Sequence, residues 1–100
     1  MLFATLWKAR TDITAEQLQQ GLPRRMQWHP RGHIQAEYWF IGAQRGDWAG
    51  ITIADVDDPG QIFEDLGAWA DLLEMRTHLC VPVDQGLRMA QQAATAAVTA

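Results

Sequence analysis

The chain contains no Ser and no Asn, one Cys and one Lys, and each shortage removes a class of chemistry. Without Ser there is no serine-triad hydrolysis. With Lys8 as the single lysine and no Gly-rich phosphate loop, nucleotide-driven chemistry and Rossmann-type dinucleotide binding find no support. Cys80 has no second thiol to pair with, so an internal disulfide is excluded. Three His and one Cys are too few, and too badly spaced, for a structural zinc site, so no metal is expected. No apolar run approaches the roughly 18–20 residues that span a bilayer. The opening MLFATLWKAR has no basic leader ahead of its apolar part, so no signal peptide is expected. A formal charge of −4 argues against nucleic acid, because phosphate binding needs a positive face. The expectation is a cytoplasmic protein with no partner membrane.

What is present is a globular composition: 100 residues, 48% of them apolar or aromatic, five of them Trp. That length supports one domain with a single modest core. Residues 2–8, LFATLWK, are rich in β-formers and predict a first strand. In ITAEQL, Thr14 and Gln17 match a capping box, with Ile13 and Leu18 as its hydrophobic staple. A helix therefore starts near Ala15, with Leu18, Leu22 and Met26 along one face. Gly21 and Pro23 predict a kink, or a short helix followed by a second one ending near Trp28.

Residues 34–41 and 48–56 predict two strands of a hairpin joined through GAQRGD. In ADVDDPGQ, Asp58 can cap a helix, Pro59 suits its first position and Gln61 completes a box. Ile62, Leu66, Trp69 and Leu73 then mark one helical face. Residues 75–83, MRTHLCVPV, predict a last strand, and DQGLRMAQQAATAAV an alanine-rich helix. The domain is expected over residues 1–90, with 91–100 as a helical or frayed tail.

The order βαββαβ plus a C-terminal helix predicts an α+β ferredoxin-like sandwich, with both helices on one face of an antiparallel sheet. Such a sheet with one wet face should alternate apolar and polar residues. These strands do not. Ile34, Ala36, Tyr38 and Phe40 would share one face, and Gln35, Glu37, Trp39 and Ile41 the other. In the first strand Leu2, Ala4 and Leu6 oppose Phe3, Thr5 and Trp7. Helices cover one face only, so a second copy is expected to cover the other, giving a homodimer.

The arrangement resembles the dimeric α+β-barrel superfamily, which includes cofactor-independent monooxygenases, muconolactone isomerase and some haem-handling proteins. More closely, WHPRGHIQAEYWFIG, WAGITIADVDDPGQIFEDLGAWADLLEMRTHLCVPV and the trailing DQGL resemble a family of small uncharacterised bacterial proteins of that fold. The resemblance covers about residues 1–90. It implies the fold and the dimer, and no particular reaction.

Glu37 is the first candidate for chemistry. Register would place it with Trp39 and Thr52 on the dimer-facing side, with Ile51, Ile53, Tyr38 and Phe40 under the helices. There it is paired with Arg76, Lys8 or a partner-chain group, or sits at a wet barrel rim, or is a desolvated general base beside aromatic walls. Arg76, His78 and Cys80 share one face of the last strand. His78 is either a proton shuttle or haem ligand, or a histidine simply held by hydrogen bonds. Cys80 reads as a packed thiol. The five Trp suit either a small core or a cavity for a flat ligand, with Trp69 capping it. His29, His33, Arg24, Arg25 and Arg31 form a local basic patch, read as solvated surface or as an anion attractor. Asp55, Asp57 and Asp58 are read as a helix start rather than a cation site.

Three functions fit these residues. The first is a cofactor-free oxygenase, isomerase or cyclase acting on an aromatic or hydrophobic molecule, with Glu37 and His78 as candidate catalytic groups. Trp7, Tyr38, Trp39, Trp69 and Arg76 would then bind the ligand. The second is a protein that binds a hydrophobic ligand or haem without turning it over. The third is a dimerisation module with no cavity.

Overall fold

Along residues 1–99, which the computed structural model describes, the elements follow as β1 (Leu2–Ala9), α1 (Ala15–Gln19), α2 (Gly21–Gln27), β2 (His33–Trp39), β3 (Gly50–Asp55), α3 (Pro59–Gly67), β4 (Leu73–Cys80) and α4 (Val83–Thr99). Local chemistry sets most of the boundaries. At α1 the full capping box forms: Gln17 N–H donates to Thr14 Oγ1 at 3.1 Å, and Thr14 N–H donates to Gln17 Oε1 at 2.8 Å. Gln20 both ends α1 and begins α2 while staying right-handed helical, so the chain kinks there rather than leaving the helix. Pro23 has no N–H for the preceding turn, which accounts for the kink. Bare Gly21 meanwhile lets the bend rest on Leu72 and Trp69, 3.4 and 3.8 Å from where its Cβ would stand.

At α3 Asp58 accepts from Gly60 N–H at 2.7 Å, and Pro59 fills the first helical position. The helix ends at Gly67, before Trp69, but tight turns carry the same periodicity onward. Trp69 N–H donates to the Leu66 carbonyl at 3.1 Å, and Leu73 N–H to the Trp69 carbonyl at 2.9 Å. Leu73, expected on the helix, therefore opens β4 instead, and β4 ends at Cys80 rather than reaching residue 83. The hairpin is also wider than expected. Its strands stop at Trp39 and resume at Gly50, and the connection turns at Gly42 and Gly46, with φ of 81° and 98°. α4 runs unbroken across residue 90 and leaves Val83, Leu87 and Val98 in solvent.

The strands form an open antiparallel sheet in the order β2-β3-β1-β4. The chain is thus a mixed α+β fold with a four-stranded antiparallel sheet and a C-terminal helix, compatible with a ferredoxin-like arrangement. Its buried core is small. Ile13, Trp69 and Leu72 are buried together, with Trp28, Leu73 and Met75 packed against them.

Register decides which side chains share a face. Glu37, Thr52, Thr5 and Thr77 stand side by side across all four strands, and the next row is Trp39, Gly50, Trp7 and Met75. Both rows lie on the helix side. Successive side chains point to opposite faces, so Leu2, Leu6, Tyr38, Ile51 and Ile53 lie on the uncovered one. This reverses the expected faces. The branched aliphatics were placed under the helices because they are bulky, but the bulk there comes from indole rings. Trp7 lies across Gly50 so closely that a Cβ on Gly50 would overlap its ring. A register shift between Ile34 and Ala36 adds a second change: it puts Ile34 on the Glu37 side, away from Tyr38.

Candidate functional site

The helix-covered side of β3 carries Gly50, Thr52 and Ala54, and on β1 Thr5 and Ala9 are short beside Phe3 and Trp7. Side chains this short do not fill the space beneath α1, α2 and α3. A cavity of about 480 Å³ remains between helices and sheet. Its floor is the polar row. Thr52 Oγ1 donates to Glu37 Oε1 at 2.8 Å and accepts from Trp7 Nε1 at 3.1 Å. Trp39 Nε1 donates to Glu37 Oε2 at 2.9 Å, and the Thr5 and Thr77 hydroxyls bond each other at 2.9 Å. The two indoles of the next row thus both aim their N–H groups into this one.

The walls are aromatic. Trp7 and Trp39 meet edge-to-face with centroids 5.5 Å apart, and Trp28 and Trp69 make the same contact across the helix side, also at 5.5 Å. Leu18, Leu22 and Phe40 line the cavity too, and all three are exposed.

Glu37 is 18% exposed, and Arg25 Nη2 on α2 lies 3.4 Å from its Oε2 and 3.5 Å from its Oε1. Burial pushes the carboxyl pKa up. The hydrogen bonds from Trp39 and Thr52 and the Arg25 guanidinium outweigh burial and hold it below the ordinary carboxylate range. Glu37 is therefore an ion with its oxygens committed, and a weak base. The expected partners, Arg76 and Lys8, are on the other face. Lys8 lies over the Trp48 ring at 4.7 Å and pairs with Glu74 at 3.7 Å, and Arg76 covers the same ring at 5.5 Å.

Asp65 is a second carboxylate in the lining, buried at 7% exposure. It accepts from Arg31 N–H at 2.7 Å and Gly32 N–H at 2.9 Å, tying the α2–β2 loop to α3. Gly32 has no room for a side chain, since a Cβ would sit 2.7 Å from Val56 Cγ1.

Of the residues singled out in the sequence, Trp7, Glu37, Trp39 and Trp69 line the cavity. Tyr38, Arg76, His78 and Cys80 lie on the opposite face, because Met75 and Thr77 take the cavity side of β4 and their neighbours must point away. His78 and Glu37 are thus separated by the sheet and cannot act on one molecule in the cavity. The basic patch resolves into separate ion pairs. Arg24 meets Asp71 at 2.8 Å, Arg31 meets Glu64 at 3.2 Å, and Arg25 turns to Glu37. Among the described residues no group of three His, Cys, Asp or Glu side chains comes together as a metal site.

Sequence reasoning missed Thr5 and Asp65, and it put Arg25 in a separate basic patch rather than beside Glu37. On α2 it placed Met26 inward, yet Met26 is 86% exposed. Arg25 stands three residues after Leu22 where Met26 stands four, and either spacing continues a helical face. The inward place goes to Arg25 because it finds both Glu37 and the Trp28 ring, 5.6 Å away. The alternation of small residues with isoleucine in GITIAD was the available signal for a hollow beneath the helices.

A family model described as a domain of unknown function, DUF3303, matches residues 1–94. The chain belongs to that family. No curated protein and no solved structure matches it. The match spans every element that frames the cavity of this DUF3303 chain, together with most of α4.

Proposed function

We propose that this chain binds a small aromatic or hydrophobic molecule between its helices and its sheet, as one half of a homodimer. The observation that carries this reading is the cavity of about 480 Å³, with two tryptophan pairs for walls and a hydrogen-bonded polar row for a floor. Apolar cavities of several hundred Å³ with few, fixed polar groups are typical small-molecule sites. A purely structural domain would fill that space with side chains, at the density usual for protein interiors.

Binding is favoured over turnover. Glu37 is ionised with its oxygens already accepting from Trp39, Thr52 and Arg25, so it has little basicity left for proton abstraction. Cys80 and His78 stand behind the sheet. An oxygenase, isomerase or cyclase here would have to draw its reactivity from the substrate.

The dimer reading rests on the uncovered face. Leu2, Leu6, Ile51 and Ile53 give it an aliphatic centre, and a second copy of the same sheet supplies matching surface, as in a dimeric α+β barrel. Light scattering at micromolar concentration is expected to give twice the 11.2 kDa chain mass, falling to one chain in Ile51→Glu. A wild-type monomer would remove the dimer.

For the ligand, tryptophan emission titrated with naphthamide is expected to quench saturably. Leu22→Trp, which adds a ring at an exposed cavity-lining position, should weaken that binding at least tenfold while leaving the fold intact by circular dichroism. Unsaturable, nonspecific quenching that Leu22→Trp leaves unchanged would refute the cavity as a binding site.

A further inference from the structure

We infer that the ligand of this cavity carries an acidic group, a carboxylate or an acidic phenol, and that Arg25 receives it. The inference rests on the small-molecule reading above and names the polar end of the molecule. It comes from asking which hydrogen-bonding groups in the cavity are already occupied.

The carboxylate acceptors are occupied. Glu37 takes Thr52 on Oε1, Trp39 on Oε2 and Arg25 between them. Asp65 takes one backbone N–H on each oxygen. Thr52 both donates and accepts, and the two indole N–H groups of the floor are used.

The open capacity is of the other kind. Arg25 engages Glu37 through Nη2 alone, at 3.4–3.5 Å, which is long for a charge-assisted bond. Among the described residues its Nε and Nη1 meet no acceptor, while its side chain is 33% exposed and lines the cavity. Arg24, its neighbour, differs in its hydrogen bonds. It holds Asp71 through two nitrogens, at 2.8 and 3.0 Å, and bonds the Ala68 carbonyl as well. Arginine presents several donors in one plane, and on Arg25 two of the three nitrogens, Nε and Nη1, are open.

Position fits the same account. The Arg25 guanidinium lies 5.6 Å from the Trp28 ring centre, and Trp28 meets Trp69 edge-to-face. A planar ring slotted between the tryptophan pairs would carry an acidic substituent to those open donors. Of the two lining carboxylates, Glu37 pairs with Arg25 and accepts from Thr52 and Trp39, and Asp65 accepts from two backbone N–H groups.

The test is a matched series on the intact protein: naphthoate, naphthamide and naphthylmethylammonium, titrated by calorimetry at neutral pH. Naphthoate is expected to bind at least tenfold more tightly than naphthamide, and the ammonium more weakly than either. Arg25→Gln should remove the preference for naphthoate over naphthamide. Arg25→Lys should restore only part of it, because an ammonium lacks the fork. Naphthamide binding as tightly as naphthoate, or a preference that survives Arg25→Gln, would overturn the inference while leaving the cavity a binding site. If none of the three binds, both readings fall together.

Discussion

Thr52→Val tests whether the polar row across the sheet is a working network. Valine keeps the volume and the β-branch, so strand propensity and packing change little. What disappears is one hydroxyl with two jobs. It donates to Glu37 Oε1 at 2.8 Å and accepts from Trp7 Nε1 at 3.1 Å. The first is a bond to a charged group, which contributes about 1.5–3 kcal/mol, and losing the second leaves an indole N–H without a partner, at about 1–3 kcal/mol. Glu37 keeps Trp39 and Arg25, and the cavity is large enough to admit water, so the full sum is not reached. We expect a loss of about 2 kcal/mol, a fall in melting temperature of roughly 10 °C for a domain of this size.

The same variant has a pH signature. The Glu37 pKa is lowered in the fold, so its contribution is fully present above the unfolded value and fades as pH falls through the folded one. Removing the Thr52 bond raises the folded pKa toward the ordinary value of 4.5, so the gap between the two states narrows. The difference between wild type and Thr52→Val should therefore be largest near neutral pH and shrink below about pH 4. Urea unfolding followed by far-UV circular dichroism at pH 7 and pH 3.5 measures both. A loss under about 0.5 kcal/mol at neutral pH, or one that does not shrink in acid, would refute the reasoning.

Other substitutions probe the frame around the cavity. Gly50→Ala forces the Trp7 ring off the sheet, so a loss of about 2 kcal/mol or more and a shift in tryptophan emission are expected in thermal melts. Asp65→Asn turns an amide group toward one of two backbone N–H donors, and should lose about 2–3 kcal/mol by urea titration while leaving Arg31 and Gly32 less protected from hydrogen exchange. Leu87→Gln changes an exposed position of α4 and should alter stability by no more than about 0.5 kcal/mol. Its mass by light scattering should equal wild type. A drop to one chain would move the proposed dimer contact from the sheet to α4.

Much of the frame was legible because it rests on short-range chemistry. Thr14 and Gln17 announce α1, Asp58 and Pro59 announce α3, and Gly21 with Pro23 announces the kink between α1 and α2. Each needs only neighbours within a turn. Strand limits were less legible, since the ends of β2 and β3 depend on where the connection turns. Phe40 N–H donates to the Ala49 carbonyl at 2.8 Å, and Arg45 then pins the loop to the Ile13 carbonyl, a contact between residues far apart in the chain.

The faces of the sheet show what periodicity cannot supply. Alternation places Glu37, Trp39 and Thr52 together and Tyr38, Ile51 and Ile53 together, and the structure agrees. It does not say which set meets the helices, because apolar bulk sits in both. The decision is made by Trp7 lying across Gly50, a contact between neighbouring strands that no window of sequence contains. Once the indoles supply the bulk on the helix side, the short side chains of β3 leave the space beneath them open, and a lone carboxylate on β2 becomes part of its floor. Glu37 in HIQAEYWFIG is then neither a stray charge nor a base in waiting. It is the fixed acceptor that orients Trp39 and Thr52, and through Thr52 also Trp7, and it holds one nitrogen of Arg25 while leaving the other two without an acceptor among the described residues.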